Sequence, residues 1–173
     1  FSFGSQEGFV PHNLGKYENT TISIKCNDGF IDACASEPSG GAIAVGVSHE
    51  YTLRSEFPQG GYGVTSTPQA YSGNTIEFDV ENVSAEKISA RIFSGTDRIH
   101  QNTNEPLICY SEGAEELFAP GERRKIKWVI DTPDDIPLSY MGIALVNQGT
   151  LRIHSANIYG ESNISVVNDT IPA

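Results

Sequence analysis

The fold is decided by the stretch Asn74-Thr75-Ile76-Glu77-Phe78-Asp79-Val80-Glu81-Asn82, in which apolar and acidic residues alternate. Successive side chains of a β-strand point to opposite faces of the sheet. Ile76, Phe78 and Val80 therefore share one face of such a strand, and the three carboxylates share the other. This pattern predicts a strand that is buried on its apolar face and solvated on its acidic face.

The same period of two recurs along the chain. We predict further strands at 20–26, 42–53, 87–94, 106–111, 124–131, 141–147 and 150–159. Turn residues separate many of them, at Asn27-Asp28-Gly29, Ser39-Gly40-Gly41, Gln59-Gly60-Gly61, Ser72-Gly73-Asn74 and Pro120-Gly121-Glu122. Helix formation is expected only as one turn within 112–118, and no strand–helix–strand alternation favours a parallel sheet. Short strands at this spacing predict an all-β sandwich or barrel.

Length and composition indicate a single folded domain. The chain has 173 residues, 38 % of them hydrophobic and 19 % charged. A chain of this length is usually one domain. We assign residues 1–162 to that domain and residues 163–173 to the end of its last strand or a linker.

The charge balance excludes several kinds of partner. Twenty-two acidic residues outnumber 11 basic ones, which gives a net charge of −11. Arg123-Arg124-Lys125-Ile126-Lys127, the only basic run, leads into an apolar strand, so we interpret it as a solvated strand face. Phosphate recognition needs clustered cations. Nucleic acid and anionic membranes are therefore poor partners, whereas neutral glycans and cationic molecules suit this charge.

Sequons favour a secreted protein, whereas the odd number of cysteines, three, argues slightly against secretion. Asn-x-Ser/Thr triplets begin at Asn19, Asn82, Asn163 and Asn168, and we expect glycosylation there. Cys26 and Cys34 flank the turn at 27–29, so a hairpin could place them within reach of a disulfide. Cys109 lies in an apolar strand and is expected to be a buried thiol.

Catalytic motifs give no signal. The chain contains no His-Glu-x-x-His, no Gly-x-Ser-x-Gly and no glycine-rich phosphate loop. The adjacent carboxylates at 115–116 and 134–135 are typical of solvent-facing turns. We therefore expect no catalytic residues.

Exposed aromatic residues are the better functional signal, because a sugar presents an apolar C–H face ringed by hydroxyl groups. Tyr62 lies between two glycines, which makes it hard to bury and the first candidate for a stacking platform, and Tyr71 is a second. Arg91 and Tyr110 fall on the faces opposite their strands' apolar residues, where they would line a groove if that face is concave, and Tyr140 is similar.

Trp128 is the only tryptophan. It shares a strand face with Ile126 and Ile130, which favours core packing over a role as a platform.

Three segments resemble jelly-roll carbohydrate-binding modules. The N-terminal Phe1-Ser2-Phe3-Gly4-Ser5-Gln6-Glu7-Gly8-Phe9 is similar to their opening, roughly Phe-Glu-Asp-Gly-Thr-x-x-Gly-Trp. The segment 149–160 is similar to their last strand, Gly-Thr-Val-x-Ile-Asp-Asp-Val-x-Leu-x-Gly. Residues 128–133, with Pro137 and 141–143, match their Trp-x-x-Pro … Ile-Gly-Ile segment.

The resemblance implies a jelly-roll β-sandwich of two antiparallel sheets, with glycan bound on the concave sheet or at the loop tips. The family often carries a structural calcium, held by an acidic residue after the first Phe and by an Asp of the last strand. Those positions are Ser2 and His154 or Ser155 here, so we expect no calcium and no other cofactor. Phe9 replaces the family's Trp.

The segment 128–160 also resembles a β-module appended to some ADP-ribosylglycohydrolase-like proteins. That resemblance implies a tethered catalytic domain outside this chain.

Three functions remain as hypotheses. The first is noncatalytic recognition of a polysaccharide or other glycan. The second is a jelly-roll polysaccharide lyase, which would need a cluster drawn from His100, His154, Arg91 and Tyr110. The third is a protein-interaction or adhesion module, which a large exposed apolar patch without a groove would favour.

Overall fold

A computed structural model describes residues 9–12, 22–46, 70–99, 106–131 and 138–160, with the backbone alone for 96–99 and 106–109. The described residues form eleven strands: β1 Val10–His12, β2 Ile22–Asn27, β3 Phe30–Ala35, β4 Gly41–Gly46, β5 Thr75–Asn82, β6 Ile88–Ile99, β7 Pro106–Glu112, β8 Glu116–Phe118, β9 Arg123–Val129, β10 Tyr140–Leu145 and β11 Gly149–Tyr159. The helical turn expected within 112–118 is wrong, because those residues end β7 and form β8. In these ranges no helix is long and apolar enough to cross a membrane.

Two antiparallel sheets pack face to face. In the described chain, one sheet has six strands in the order β1-β4-β10-β6-β7, with β8 also paired to β6. The other sheet has five strands in the order β2-β3-β11-β5-β9. This architecture confirms the predicted all-β, two-sheet jelly-roll sandwich. The division at residue 162 stays a prediction, because 161–173 lie outside the described residues.

The core lies between the sheets and follows the predicted alternation. In β5, Ile76, Phe78 and Val80 are fully buried, while their acidic neighbours are not. Phe9 is buried against the core with its ring edge-to-face on Phe78, 6.2 Å between centroids. Trp128 packs against this core as a partly buried residue, which confirms the prediction for it.

The β2–β3 hairpin turns at Asp28 and Gly29, as the sequence predicts. The Cys26–Cys34 disulfide is nevertheless absent. The strand register pairs Cys26 with Ile31 and Cys34 with Ser23, so the two cysteines are three residues out of register and point to opposite faces. Three residues correspond to about 10 Å along a strand, which is beyond disulfide reach. Cys109 lies on β7, and its side chain is outside the described set.

Ion pairs cover the outer face of the five-stranded sheet. Arg123 contacts both carboxylate oxygens of Asp79, Nε–Oδ1 at 3.1 Å and Nη2–Oδ2 at 3.0 Å. Arg152 likewise holds Asp32, and Lys127 lies 3.6 Å from Glu77. The basic run is therefore a neutralised strand face, as predicted, and not an anion-binding site.

The sequon at Asn82 is not a glycosylation site in this fold. Asn82 is fully buried at the end of β5. Its Nδ2 donates to the carbonyl oxygens of Glu86 and Phe118, at 2.8 and 3.1 Å, and its Oδ1 accepts from the Ser84 N–H. A glycan would have to attach at that buried nitrogen, so the prediction for Asn82 is wrong. Asn19, Asn163 and Asn168 lie outside the described residues.

Asn82→Ala tests this structural role. The substitution leaves one N–H and two carbonyl groups without their partner in a buried site, which costs on the order of 2–4 kcal/mol of the free energy of unfolding. Urea denaturation measures that loss. Asn157→Ala, at an exposed strand position, is the matched control and should change stability little. Equal effects of the two substitutions would contradict the role assigned to Asn82.

The ion pair of Asp79 makes the free energy of unfolding depend on pH in acidic solution. Hydrogen bonds from Arg123 hold the pKa of Asp79 below its ordinary value of 3.8, against an opposing effect of burial. The carboxylate therefore adds stability that is complete above about pH 4 and is lost as the pH falls through its lowered folded-state pKa. We expect the stability of Asp79→Asn to fall less steeply below pH 4 than that of the unsubstituted protein. Parallel pH profiles in urea denaturation would refute this.

Candidate functional site

The outer face of the six-stranded sheet is built on small residues. In β4 and β10 every residue is buried, so these neighbouring strands are covered on both faces. Their outward positions carry only small residues apart from one tyrosine: Ala42, Ala44, Gly46, Gly142 and Ala144. A floor of small side chains leaves room for large rings from the neighbouring strands. We call the outer side of this sheet the aromatic face.

Three rings meet above that floor. Phe93 of β6 is fully buried and lies between His12 and Tyr140, at centroid distances of 5.8 and 6.1 Å. His12 also lies 4.7 Å from Tyr140. Tyr140 is on the predicted face but is only 8 % exposed. Tyr140 packs within the ring cluster, against His12 and Phe93, and is therefore not an open platform.

Tyr110 is the open ring of the face. Its register places it opposite Gly95, with Tyr140 on the other side of the same glycine. The ring is 41 % exposed and stacks on Phe93 at 6.1 Å with an interplanar angle of 29°. Its hydroxyl donates to Glu112 Oε2 at 2.7 Å. Tyr110 is therefore held by the ring of Phe93 and by a hydrogen bond to Glu112, with part of its surface exposed.

Arg91 belongs to the same network. It occupies the outward-facing position of β6 two residues before Phe93. Its Nη1 lies 2.6 Å from Glu112 Oε1, and its Nη2 lies 3.1 Å from Glu115 Oε1. The side chains of Arg91 and Glu112 are 21 % and 24 % exposed, and that of Glu115 is 45 % exposed. These partly exposed charged groups surround a stacked aromatic ring, which is the arrangement that hydroxyl-rich ligands use.

The structure brings three predicted site residues, Arg91, Tyr110 and Tyr140, onto one face. Tyr71 lies elsewhere, in the turn before β5, with its N–H donating to Asn74 Oδ1 at 2.9 Å. Tyr62 lies outside the described residues. The sequence analysis missed Phe93 and Glu112, although both occupy outward positions. Gly95 and Gly142, glycines inside strands, were the available signal, because such glycines often mark a close approach.

A concave cleft lies at one end of the sandwich. It is a cleft of about 520 Å³ between the loops after β3, β5 and β10, lined by Pro38, Ser84, Ala85, Glu86, Asn147, Gln148 and Gly149. None of these seven residues is aromatic. The aromatic face therefore offers the better stacking surface for a sugar ring.

His154 occupies the family's calcium-ligand position and is also one of the residues named in the lyase hypothesis. Its Nε2 lies 2.9 Å from Glu81 Oε1, and the next residue, Ser155, pairs with Asp79 across a β-bulge. Among the described residues no group of three or more His, Cys, Asp or Glu side chains could hold a metal ion. Ser2 and His100 lie outside the described ranges. Since His154 is on the five-stranded sheet, it does not cluster with Arg91 and Tyr110.

Solved structures that align with this chain include carbohydrate-binding modules. No protein-family model matches the chain, and no curated protein matches it. Solved structures do. The CBM22-1 and GH10 modules of a Clostridium thermocellum endo-1,4-β-D-xylanase, complexed with xylohexaose, align at TM-score 0.59 and 10 % identity over 93 % of this chain.

Two further structures agree. A carbohydrate-binding module of the β-sandwich superfamily, solved to explain promiscuous specificity, aligns at TM-score 0.55 and 12 % identity over 92 % of this chain. A family 11 module from Clostridium thermocellum, in complex with a β-1,3-1,4-mixed-linked tetrasaccharide, aligns at TM-score 0.53 and 10 % identity over 92 % of this chain and 93 % of that one.

The chain has the β-sandwich fold of carbohydrate-binding modules. It spans 28 % of the xylanase structure and 61 % of the second structure. At identities near 10 % the likeness establishes this carbohydrate-binding-module fold and not a ligand.

Gly95→Ala tests how the aromatic face is packed. A β-carbon at residue 95 would lie 2.2 Å from the Tyr140 hydroxyl oxygen, so the ring would have to move. We expect a loss of about 1–3 kcal/mol in the free energy of unfolding. In a Tyr140→Ala background the same substitution should cost close to nothing, because the obstructing ring is gone. Additive effects in this double-mutant cycle, followed by urea denaturation, would contradict the packing.

Proposed function

We propose that this protein is a noncatalytic carbohydrate-binding module and that the aromatic face holds the glycan. The observation that carries the proposal is the partly exposed ring of Tyr110, stacked on Phe93 and bordered by Arg91 and Glu112. Tyr110 would stack on the apolar face of a sugar ring. Arg91 and Glu112 would bind its hydroxyl groups.

The geometry suits binding to a polymer. Phe93 and Glu112 restrain the Tyr110 ring before any ligand arrives, which lowers the entropy lost on binding. At 41 % exposure, Tyr110 can stack on one unit of a longer glycan chain. Contacts of this kind on a wet surface give affinities in the millimolar to micromolar range, about −4 to −8 kcal/mol.

The aligned structures support a choice of glycan class to test. Two of the aligned structures hold xylohexaose and a mixed-linked β-glucan tetrasaccharide. We therefore propose a β-linked plant-type polysaccharide, xylan or β-glucan, as the ligand class to test first.

We propose a binding module and not an enzyme. The lyase hypothesis needs a cluster drawn from His100, His154, Arg91 and Tyr110. His154 lies on the opposite sheet, bonded to Glu81, which favours a binding module, and His100 lies outside the described residues. The adhesion hypothesis required a large apolar patch, whereas the exposed ring of Tyr110 is bordered by charged groups.

The setting of the module is also a proposal. We propose secretion and a tethered catalytic domain, because one aligned structure joins such a module to catalytic modules. Sequons at Asn19, Asn163 and Asn168 remain candidate glycosylation sites. Tyr62 and Tyr71 remain candidate contacts, and the similarity of 128–160 to ADP-ribosylglycohydrolase-appended modules remains a prediction. No calcium or other cofactor is proposed.

Tyr110→Ala is the decisive substitution for binding. We expect affinity for xylan or mixed-linked β-glucan to fall by about tenfold or more, because losing a central stacked aromatic contact costs on the order of 1–3 kcal/mol. Titration calorimetry with soluble oligosaccharides measures the loss. Tyr159→Ala is the matched control, because Tyr159 is 42 % exposed and lies on the outer face of the other sheet.

The two variants separate the outcomes. Loss of binding in Tyr110→Ala but not in Tyr159→Ala would support the aromatic face. The reverse result, or folded protein that binds neither glycan, would refute the proposal.

A further inference from the structure

Arg91 is committed to carboxylates of its own chain. Its two terminal nitrogens contact two different glutamates, Glu112 at 2.6 Å and Glu115 at 3.1 Å. A guanidinium recognises an anionic ligand through the same paired N–H groups. A uronate or sulfate arriving at this face would therefore have to displace a carboxylate that is already bound.

The local charge also opposes an anion. Arg91 contributes one positive charge to this cluster, and the two glutamates contribute two negative ones. These three side chains together are thus net negative, on a protein whose net charge is −11. Like charges brought together at a binding surface suppress the wrong partner and slow its association.

Uncharged glycans meet no such barrier. Glu112 uses Oε1 for Arg91 and Oε2 for the Tyr110 hydroxyl, and a carboxylate oxygen can accept more than one hydrogen bond. Glu115 is 45 % exposed, so its carboxylate can also accept from a sugar hydroxyl. The same residues that repel an anion therefore bind a neutral ligand.

We infer that Glu112 and Glu115 are specificity determinants that make the aromatic face select uncharged glycans over uronic-acid and sulfated ones. Besides its proposed contact with the sugar, Arg91 holds Glu112 against Tyr110. This inference rests on the proposed function, since it concerns the same surface.

Neutralising the two glutamates tests the inference. Glu115→Gln changes only a partly exposed carboxylate at the rim, and Glu112→Gln/Glu115→Gln changes both. Each glutamine keeps one amide oxygen that can accept from Arg91, and the amide N–H at position 112 can donate to the Tyr110 hydroxyl oxygen in place of the lost acceptor. The double variant removes the negative charge of both carboxylates that Arg91 contacts here. We expect binding to polygalacturonate to rise by about tenfold, since a guanidinium freed of its carboxylates becomes an anion site.

The measurement is affinity electrophoresis and calorimetry with polygalacturonate, xylan and mixed-linked β-glucan at low and high salt. The gain for polygalacturonate should shrink as salt rises, because the attraction is electrostatic. A purely structural effect of the substitutions would show no such salt dependence. Affinity for the neutral glycans should change by less than the gain for polygalacturonate.

Glu37→Gln/Glu86→Gln is the matched control. Both residues are exposed in loops and lie outside the network of Arg91, and the net charge changes by the same amount. An equal gain for polygalacturonate in this control would show a bulk charge effect and overturn the inference.

The inference and the proposed function fail differently. If the unsubstituted protein binds polygalacturonate as tightly as it binds xylan and β-glucan, the inference is wrong and the proposal of glycan binding stands. If the folded protein binds none of the three polysaccharides, both are wrong.

Discussion

The structure depends on two neighbouring strands that are buried on both faces. Most strands of a sandwich pack one face inward and leave the other in water, but β4 and β10 are buried on both faces. Their inward positions carry branched or long side chains such as Ile43 and Ile143, which fill the core. Their outward positions carry alanine and glycine, so the second face can be covered closely by rings. Gly142 shows the limit: a β-carbon there would lie 2.1 Å from the Ile43 carbonyl oxygen and 2.4 Å from the Phe93 ring.

The two outer faces of the sandwich therefore differ in chemistry. On the five-stranded sheet, alternating acidic and basic strands place carboxylates opposite cations, as in the pairing of Asp79 with Arg123. Such a face satisfies its own charges and leaves few groups for a ligand. On the six-stranded sheet, the described ion pairs of Arg91 with Glu112 and Glu115 lie beside the ring of Tyr110. That asymmetry, more than the number of aromatic residues, is the reason for proposing the six-stranded sheet as the binding face.

Alternation along the sequence predicted the strands, the β2–β3 turn and the buried position of Trp128 with good accuracy. It failed where a face has a second layer or where register matters. Tyr140 lies opposite its strand's core residues and so was expected to be open, yet the outer ring cluster covers it. Cys26 and Cys34 are close in sequence, but the register of the hairpin places them three residues apart and on opposite faces. Asn82 fits a sequon, and only the fold shows that its amide links the end of β5 to the carbonyls of Glu86 and Phe118. The alternation of residues along the sequence predicts which side chains share a face of a strand. It does not predict how that strand pairs with its neighbours or which residues pack over its outer face.

Exposure alone would not have identified Tyr110. Tyr159 is as exposed, and its hydroxyl also lies near a carboxylate, 3.3 Å from Glu77. The difference is what lies beneath and beside each ring. Tyr110 rests on Phe93, whereas Tyr159 has the mobile ammonium of Lys127 at 5.9 Å from its centroid. A ring already fixed by packing loses little freedom when a sugar stacks on it, whereas a ring beside a flexible lysine loses more. Preorganisation by the alanine and glycine floor, acting through Phe93, is therefore the physical reason that this tyrosine can serve as a platform.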